Sequence, residues 1–177
     1  IAIVGASEEA GKVGTVITKN ITSLGYSGKV YLVNPNHEEI FSMKCYKSLQ
    51  DIDGPVDLAI IAIPAKFVNS AIRESAKLVK NFAVISAGFA EISAEGKERE
   101  DELSRIANEY ELNILGPNCL GFIAPYIKLN ASFAGGLPEA GNISFVSQSG
   151  ALAVAIMDIA KNKEIKFSNV ISIGNKM

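Results

Sequence analysis

Short apolar runs alternate along this chain with stretches in which apolar residues recur every three or four positions. Ile1 to Gly5, Lys29 to Val33, Asp57 to Ile63, Phe82 to Ser86 and Asn113 to Leu115 read as strands. After its first residue, Asp57-Leu58-Ala59-Ile60-Ile61-Ala62-Ile63 is apolar on both sides of the pleat, which predicts a central strand covered by helices on both faces. Val13, Val16, Ile17, Ile21 and Leu24 form a helical stripe closed by Gly25, and Val68, Ala71, Ile72, Ala76 and Val79 form a second. A third helix, Ala94 to Tyr110, is expected to bury Leu103, Ile106, Ala107 and Tyr110. Its run Lys97-Glu98-Arg99-Glu100-Asp101-Glu102 is expected to face water. Strand and helix in strict alternation predict βαβ units around a doubly wound parallel sheet.

After Gly116-Pro117 the texture changes to loop residues, with Gly121, Pro125, Gly135, Gly136, Pro138 and Gly141 in quick succession. This predicts a domain boundary, with residues 1–124 as one unit and 125–177 as a linker and the opening of a second. In that second part Asn142 to Val146 reads as a strand, Ser147-Gln148-Ser149-Gly150 as a tight turn, Ala151 to Lys161 as a helix and Val170 to Ile173 as a strand. The chain opens on a residue already in a strand and stops just after another, so the sequence is expected to be a segment of a longer protein.

With 48% hydrophobic and 20% charged positions the chain can build a substantial core. A formal charge of -2 and a pI near 5.5 offer nothing to attract nucleic acid or an anionic membrane. No apolar run reaches the roughly 18 residues of a membrane helix. Cys45 and Cys119 are far apart and form no CxxC pair, which suits a reduced, cytoplasmic protein.

The chemistry begins at GASEEAGKVG, Gly5 to Gly14, between the first strand and the first helix. A glycine-rich loop leading into a helix N-terminus offers free N–H groups and a positive dipole end to a phosphate. The glycines also serve a turn and close helix-to-strand packing. Gly5, Gly11 and Gly14 are not spaced as GxGxxG. The second strand ends in Val33-Asn34-Pro35-Asn36 where an NAD site carries an acid for the ribose hydroxyls, and no acid follows until Glu38. The loop therefore suits another adenine nucleotide better than NAD. Ile63-Pro64-Ala65, Ser86-Ala87-Gly88-Phe89 and Gly116-Pro117-Asn118-Cys119 fall at the ends of the next strands, so small and turn residues gather along one edge of the sheet.

The series IAIVGAS, KVYLVNP, DLAIIAIP, ISAGFAE, LGPNCLG, FVSQSGA and ISIGNK resembles, in order and spacing, the NDP-forming acyl-CoA synthetases. The resemblance is strongest to the ADP-forming acetyl-CoA synthetases, relatives of the α subunit of succinyl-CoA synthetase. It implies a Rossmann-like CoA-binding domain followed by the start of a flavodoxin-like, succinyl-CoA-synthetase-like domain. It further implies that Gly5, Ser7, Lys12, Val13 and Gly14 cradle CoA phosphate, with Asn34, Pro35, Ile63, Pro64, Ser86, Ala87, Gly88 and Asn118 along the rest of the molecule. Lys44 is the candidate cation for the CoA 3'-phosphate.

The same resemblance implies that Ser147, Gln148, Ser149 and Gly150 receive the phosphate of a phosphohistidine. The one histidine, His37, follows the second strand and reads as an ordinary surface residue, so the phosphorylated histidine is expected beyond Met177. The whole enzyme would convert acyl-CoA, phosphate and ADP to acid, CoA and ATP through an acyl phosphate and the phosphohistidine. ATP or ADP and Mg²⁺ would sit on an ATP-grasp domain or β subunit, in an oligomer, with a small acyl substrate and no catalytic residue or metal in this segment. Two alternatives stay open: a non-catalytic CoA-binding regulatory module such as one fused to a protein acetyltransferase, and an NAD(P)-dependent oxidoreductase. A serine hydrolase is excluded, since Ser147 stands where GxSxG needs glycine and no histidine follows Ser149. Cys119 reads as a packed small residue, because no base or cation lies near it in sequence.

Overall fold

The computed structural model describes Ile1 to Lys176. Seven strands form the first sheet: β1 (Ala2–Val4), β2 (Tyr31–Val33), β3 (Glu39–Ile40), β4 (Met43–Tyr46), β5 (Ala59–Ile61), β6 (Asn81–Val84) and β7 (Asn113–Leu115). Their order is β3-β4-β2-β1-β5-β6-β7, parallel throughout except for the β3–β4 hairpin at one edge. From β4 to β7 this is the 3-2-1-4-5-6 order of a doubly wound Rossmann-like sheet. The central strand is β1 by position, with β5, the strand expected at the centre, beside it.

Strict alternation assigns each strand side chain to one of two cores. Ala2, Val4, Tyr31, Val33, Ala59, Ile61, Phe82 and Val84 face one side, where α2 (Val68–Ser75) and α3 (Ala94–Tyr110) add Val68, Ile72, Leu103 and Ile106. Ile1, Ile3, Leu32, Ile60, Ala83 and Ile85 face the other, covered by Ile17 and Ile21 of α1 (Val13–Ser23). Val13 and Val16, expected in the buried stripe of α1, are 41% and 36% exposed. The buried face of α1 is Gly14, Thr15, Ile17, Thr18 and Ile21, so the stripe is rotated away from Val13 and Val16. In α3 Lys97, Glu98 and Asp101 of the charge run face water, Arg99 and Glu102 are partly covered, and Glu100 is 8% exposed and turned inward.

The glycine-rich region after Gly116-Pro117, read as loop, holds two further strands, β8 (Gly121–Ala124) and β9 (Leu129–Ser132). They form an antiparallel hairpin that joins β10 (Ala140–Ser147) and β11 (Phe167–Ser172) in a second sheet of order β10-β11-β8-β9. Gly121 looked like loop for a steric reason. Its φ is +106°, and a Cβ there would lie 2.2 Å from the Ala131 carbonyl oxygen. β10, α4 (Gly150–Lys161) and β11 make the expected βαβ, with the two strands parallel. Leu129 and Ala131 of the hairpin pack into the α1 core, while Ile123 packs with Ala153, Met157 and Phe167 in the second. The hairpin thus hydrogen-bonds to one sheet and packs on the other, and the Ala124/Pro125 division falls inside it.

Candidate functional site

In a sheet of this order the crevice lies where the chain reverses direction across the sheet, beyond the carboxyl ends of β1 and β5. A cleft of ≈ 720 Å³ opens there. Gly5 and Ser7 follow β1; Lys12, Val13 and Gly14 start α1; Asn34 and Pro35 follow β2; Ile63 and Pro64 follow β5. All nine line this one cleft, although they are spread over 60 positions of sequence.

The glycine loop is shaped by its own bonds. The Glu9 amide donates to Ser7 Oγ at 3.0 Å, and Thr15 Oγ1 donates to the Glu9 carbonyl at 2.6 Å. A Cβ on Gly14 would lie 1.9 Å from the Gly5 carbonyl oxygen, and one on Gly5 would lie 2.3 Å from that of Ala62. These two glycines therefore let α1 and β5 approach the loop, which is the packing role. The phosphate role rests on something else: no side chain caps the first turn of α1 and no acid stands in it, which leaves the amides of Val13 and Gly14, both at the cleft, and the positive dipole end for an anion. By contrast α3 is capped by Ser93 and α4 by Ser149.

A second cleft of ≈ 640 Å³ shares Val13, Ala62 and Ile63 with the first, so the two form one elongated trough. Ser86, Ala87 and Asn118 line it from the first sheet, and Gln148, Gly150 and Ala151 from the N-terminus of α4. Asn118 holds its place in the left-handed region, φ +55°, with its amide donating to the Ser86 carbonyl at 3.0 Å. Gly88, Ser147 and Ser149 line neither cleft. The Gly88 amide is bound to Glu91 Oε1, 2.6 Å away, Ser147 Oγ accepts from the Ser149 amide at 3.0 Å, and Ser149 Oγ accepts from the Leu152 amide at 3.2 Å. The turn FVSQSGA therefore shows Gln148 and Gly150 to the trough and uses its hydroxyl oxygens to shape itself.

Residues 1–125 match the CoA binding domain family. The chain belongs to that family. Residues 140–177 match the succinyl-CoA ligase-like flavodoxin domain, so the CoA-binding domain is followed by residues of a second domain type. Over 99% of the chain it is 46% identical to an ADP-forming acetate–CoA ligase of Methanocaldococcus jannaschii. It is 44% identical to the α subunit of ADP-forming acetate–CoA ligase II of Pyrococcus furiosus. The fold of acetyl-coenzyme A synthetase 1 from Candidatus Korarchaeum cryptofilum, solved with phosphate and ADP, superposes on 99% of this chain with a TM-score of 0.93 at 40% identity. The chain spans 25%, 38% and 38% of these three proteins.

Within the CoA-binding domain the structure moves two sequence readings. Lys44 does not line the trough; its ammonium lies over the Tyr46 ring, 4.4 Å from the centroid. Lys47 does line it, beside Ser48, whose hydroxyl donates to Asp51 at 2.7 Å. His37, read as an ordinary surface residue, is exposed but sits on the rim of the first cleft. The two residues flank the β3–β4 hairpin, which the sequence hid because its turn places Phe41 and Ser42, not glycine, at φ +50° and +58°. Phe67, half exposed, and Leu49 add apolar walls, and Phe133 does so in the second cleft. Period-two alternation in Met43-Lys44-Cys45-Tyr46 was the one signal that pointed to Lys47. Cys119 also borders the second cleft but is 3% exposed, donates to the Val84 carbonyl at 3.3 Å, and has its thiol pushed up to about 11 by burial. It is a packed neutral thiol. No helix among the described residues is long and apolar enough to cross a membrane.

Proposed function

We propose that this chain is the CoA-binding portion of an ADP-forming acyl-CoA synthetase, with residues 1–124 as the CoA-binding unit and 125–177 as the start of the succinyl-CoA-ligase-like unit. The single observation that carries the reading is the continuous trough running from the uncapped N-terminus of α1, over the ends of β1 and β5, to the N-terminus of α4. Its length and two-cleft form fit an elongated ligand with phosphates at one end and a thiol at the other. The first cleft takes the nucleotide: Gly5, Ser7, Lys12, Val13 and Gly14 face its phosphates, and Lys47 supplies a cation for the 3'-phosphate. Val13, Ile63 and Pro64 flank the passage of the pantetheine arm. Ser86, Ala87 and Asn118 hold its far end, bringing the thiol beside Gln148 and Gly150. CoA supplies the nucleophilic sulfur; this chain binds it, orients it and shields it from water.

The relatives named as ADP-forming acetate–CoA ligases support a whole protein that interconverts acyl-CoA, phosphate and ADP with acid, CoA and ATP. ATP or ADP and Mg²⁺ then belong to an ATP-grasp domain or β subunit. The α4 turn faces that chemistry through Gln148 and Gly150, where the helix N-terminus favours an anion. The NAD(P) reading is disfavoured at one atom group: Asn34, at the end of β2, already donates to the Ala6 carbonyl at 2.8 Å and accepts from the Asn36 amide at 3.0 Å, with no carboxylate in its place.

Calorimetric titration with CoA, dephospho-CoA and NADH tests the proposal. CoA binding best, with dephospho-CoA weaker and NADH silent, is the expected outcome. NADH binding without CoA would overturn it.

A further inference from the structure

Gly88 to Glu91, the second half of the motif ISAGFAE, and the motif ISIGNK line neither cleft, yet the structure brings them together. Asn175, just after β11 in the second sheet, inserts its side chain against the first sheet's Gly88–Glu91 loop and against α3. Its Nδ2 donates to Glu91 Oε2 and to Glu100 Oε2, both at 2.7 Å, and its Oδ1 accepts from Asn118 Nδ2 at 3.1 Å. Its backbone amide donates to the Pro117 carbonyl at 2.9 Å, and Gly174 comes so close that a Cβ would lie 2.1 Å from the same oxygen.

The two carboxylates have no cation. Among the described residues neither Glu91 nor Glu100 takes part in an ion pair, and Arg99 is turned to Glu95 and to the Gly88 carbonyl instead. Glu91 is held by the amides of Gly88 and Phe89, at 2.6 and 3.1 Å, and Glu100 by that of Ala90 at 3.3 Å. One asparagine nitrogen from the other sheet bridges them. Glu100 is buried and Glu91 stands at the surface; a carboxylate buried as Glu100 is would carry its full desolvation penalty without such donors, and Asn175 is the residue through which both acids meet the second sheet. The other end of that side chain holds Asn118, which lines the second cleft.

We infer that Asn175 is a positioning residue: through Glu91 and Glu100 it fixes the second sheet against the first and sets Asn118 in the wall of the cleft that receives the thiol end of CoA. The inference rests on the CoA reading of the trough. It separates the two ends of the ligand, since the nucleotide cleft is built from β1, β2, β5 and α1 and does not involve Asn175.

The test uses CoA and adenosine 3',5'-bisphosphate, which carries the nucleotide end alone, titrated into the wild-type chain and Asn175→Ala. Loss of charge-assisted hydrogen bonds predicts CoA weakened about tenfold or more, with the bisphosphate changed less than about twofold. Asn175→Asp, which sets a third carboxylate against two, is expected to lose more, and adding Glu100→Gln to it is expected to recover part of the loss. A merely structural role would weaken both ligands together, and that result, or no change in either, overturns the inference while leaving the CoA reading intact. A wild-type chain that binds neither ligand sinks both. Should the variants fail to fold, wild-type hydrogen exchange decides: residues 116–120 and 172–176 are expected to slow with CoA and not with the bisphosphate, and equal protection by both, or none by CoA, overturns the inference.

Discussion

Replacing Gly14 by alanine sets two known effects against each other. In an open helix position the change favours the folded state by about 1 kcal/mol, because alanine gives up less backbone freedom than glycine. Here the added Cβ would sit 1.9 Å from the Gly5 carbonyl oxygen and 2.9 Å from its carbon. Ordinary contact begins near 3.4 Å, so α1 must retreat by about 1.5 Å from the end of β1. The obstacle is backbone, which cannot rotate aside as a side chain can. The same helix carries Ile17 and Ile21, both fully buried, and any retreat opens the core beneath them. Overpacking of this kind costs about 1–3 kcal/mol, and this site belongs at the upper end. After the propensity gain the net loss is about 2 kcal/mol, which for a chain of this size lowers Tm by roughly 4–8 °C. Thermal unfolding followed by circular dichroism measures it. Gly11→Ala is the comparison: at φ +84° with open space around its Cβ, it meets only the left-handed strain of about 1–2 kcal/mol and leaves α1 in place. Gly14→Ala should also weaken CoA, since the first-turn amides move with the helix, whereas Gly11→Ala should keep most of the affinity. A Gly14→Ala chain that melts at or above the wild-type temperature would refute the reasoning.

Two further outcomes follow from the site. Lys47→Ala is expected to weaken CoA by about tenfold while changing dephospho-CoA less than about twofold, with Lys44→Ala leaving both as they were; equal losses for the two ligands would remove Lys47 from the 3'-phosphate. The Cys119 thiol, raised by burial from the ordinary 9.0 to about 11, is harder to ionise folded than unfolded. Its contribution is therefore fully present below pH 9 and drains away as pH rises through 11, by roughly 2–3 kcal/mol. Urea unfolding of wild type and Cys119→Ala at pH 8 and pH 10.5 should show the gap between them narrowing at the higher pH, and a constant gap would count against a buried neutral thiol.

Local pattern alone determined the βαβ alternation, the five main parallel strands and the Ala94–Tyr110 helix, because period two and period 3.6 are written directly in the order of apolar residues. It also marked the strand-end residues that line the trough, since chain direction and parallel pairing put all such ends on one edge. Tertiary structure decided the rest. The β3–β4 hairpin, with its turn at Phe41 and Ser42, is held by pairing with β2, and only that pairing carries Lys47 to the cleft in place of Lys44. Gly121 belongs to a strand because Ala131 lies against it, a contact no run of sequence announces. Glu100 reads as one charge among six, and its burial is matched by donors from outside its helix, the Ala90 amide and a side chain 75 positions away. Periodicity records which face of an element is apolar; which polar group meets which depends on contacts between distant segments, and those exist only once the sheets have closed on each other.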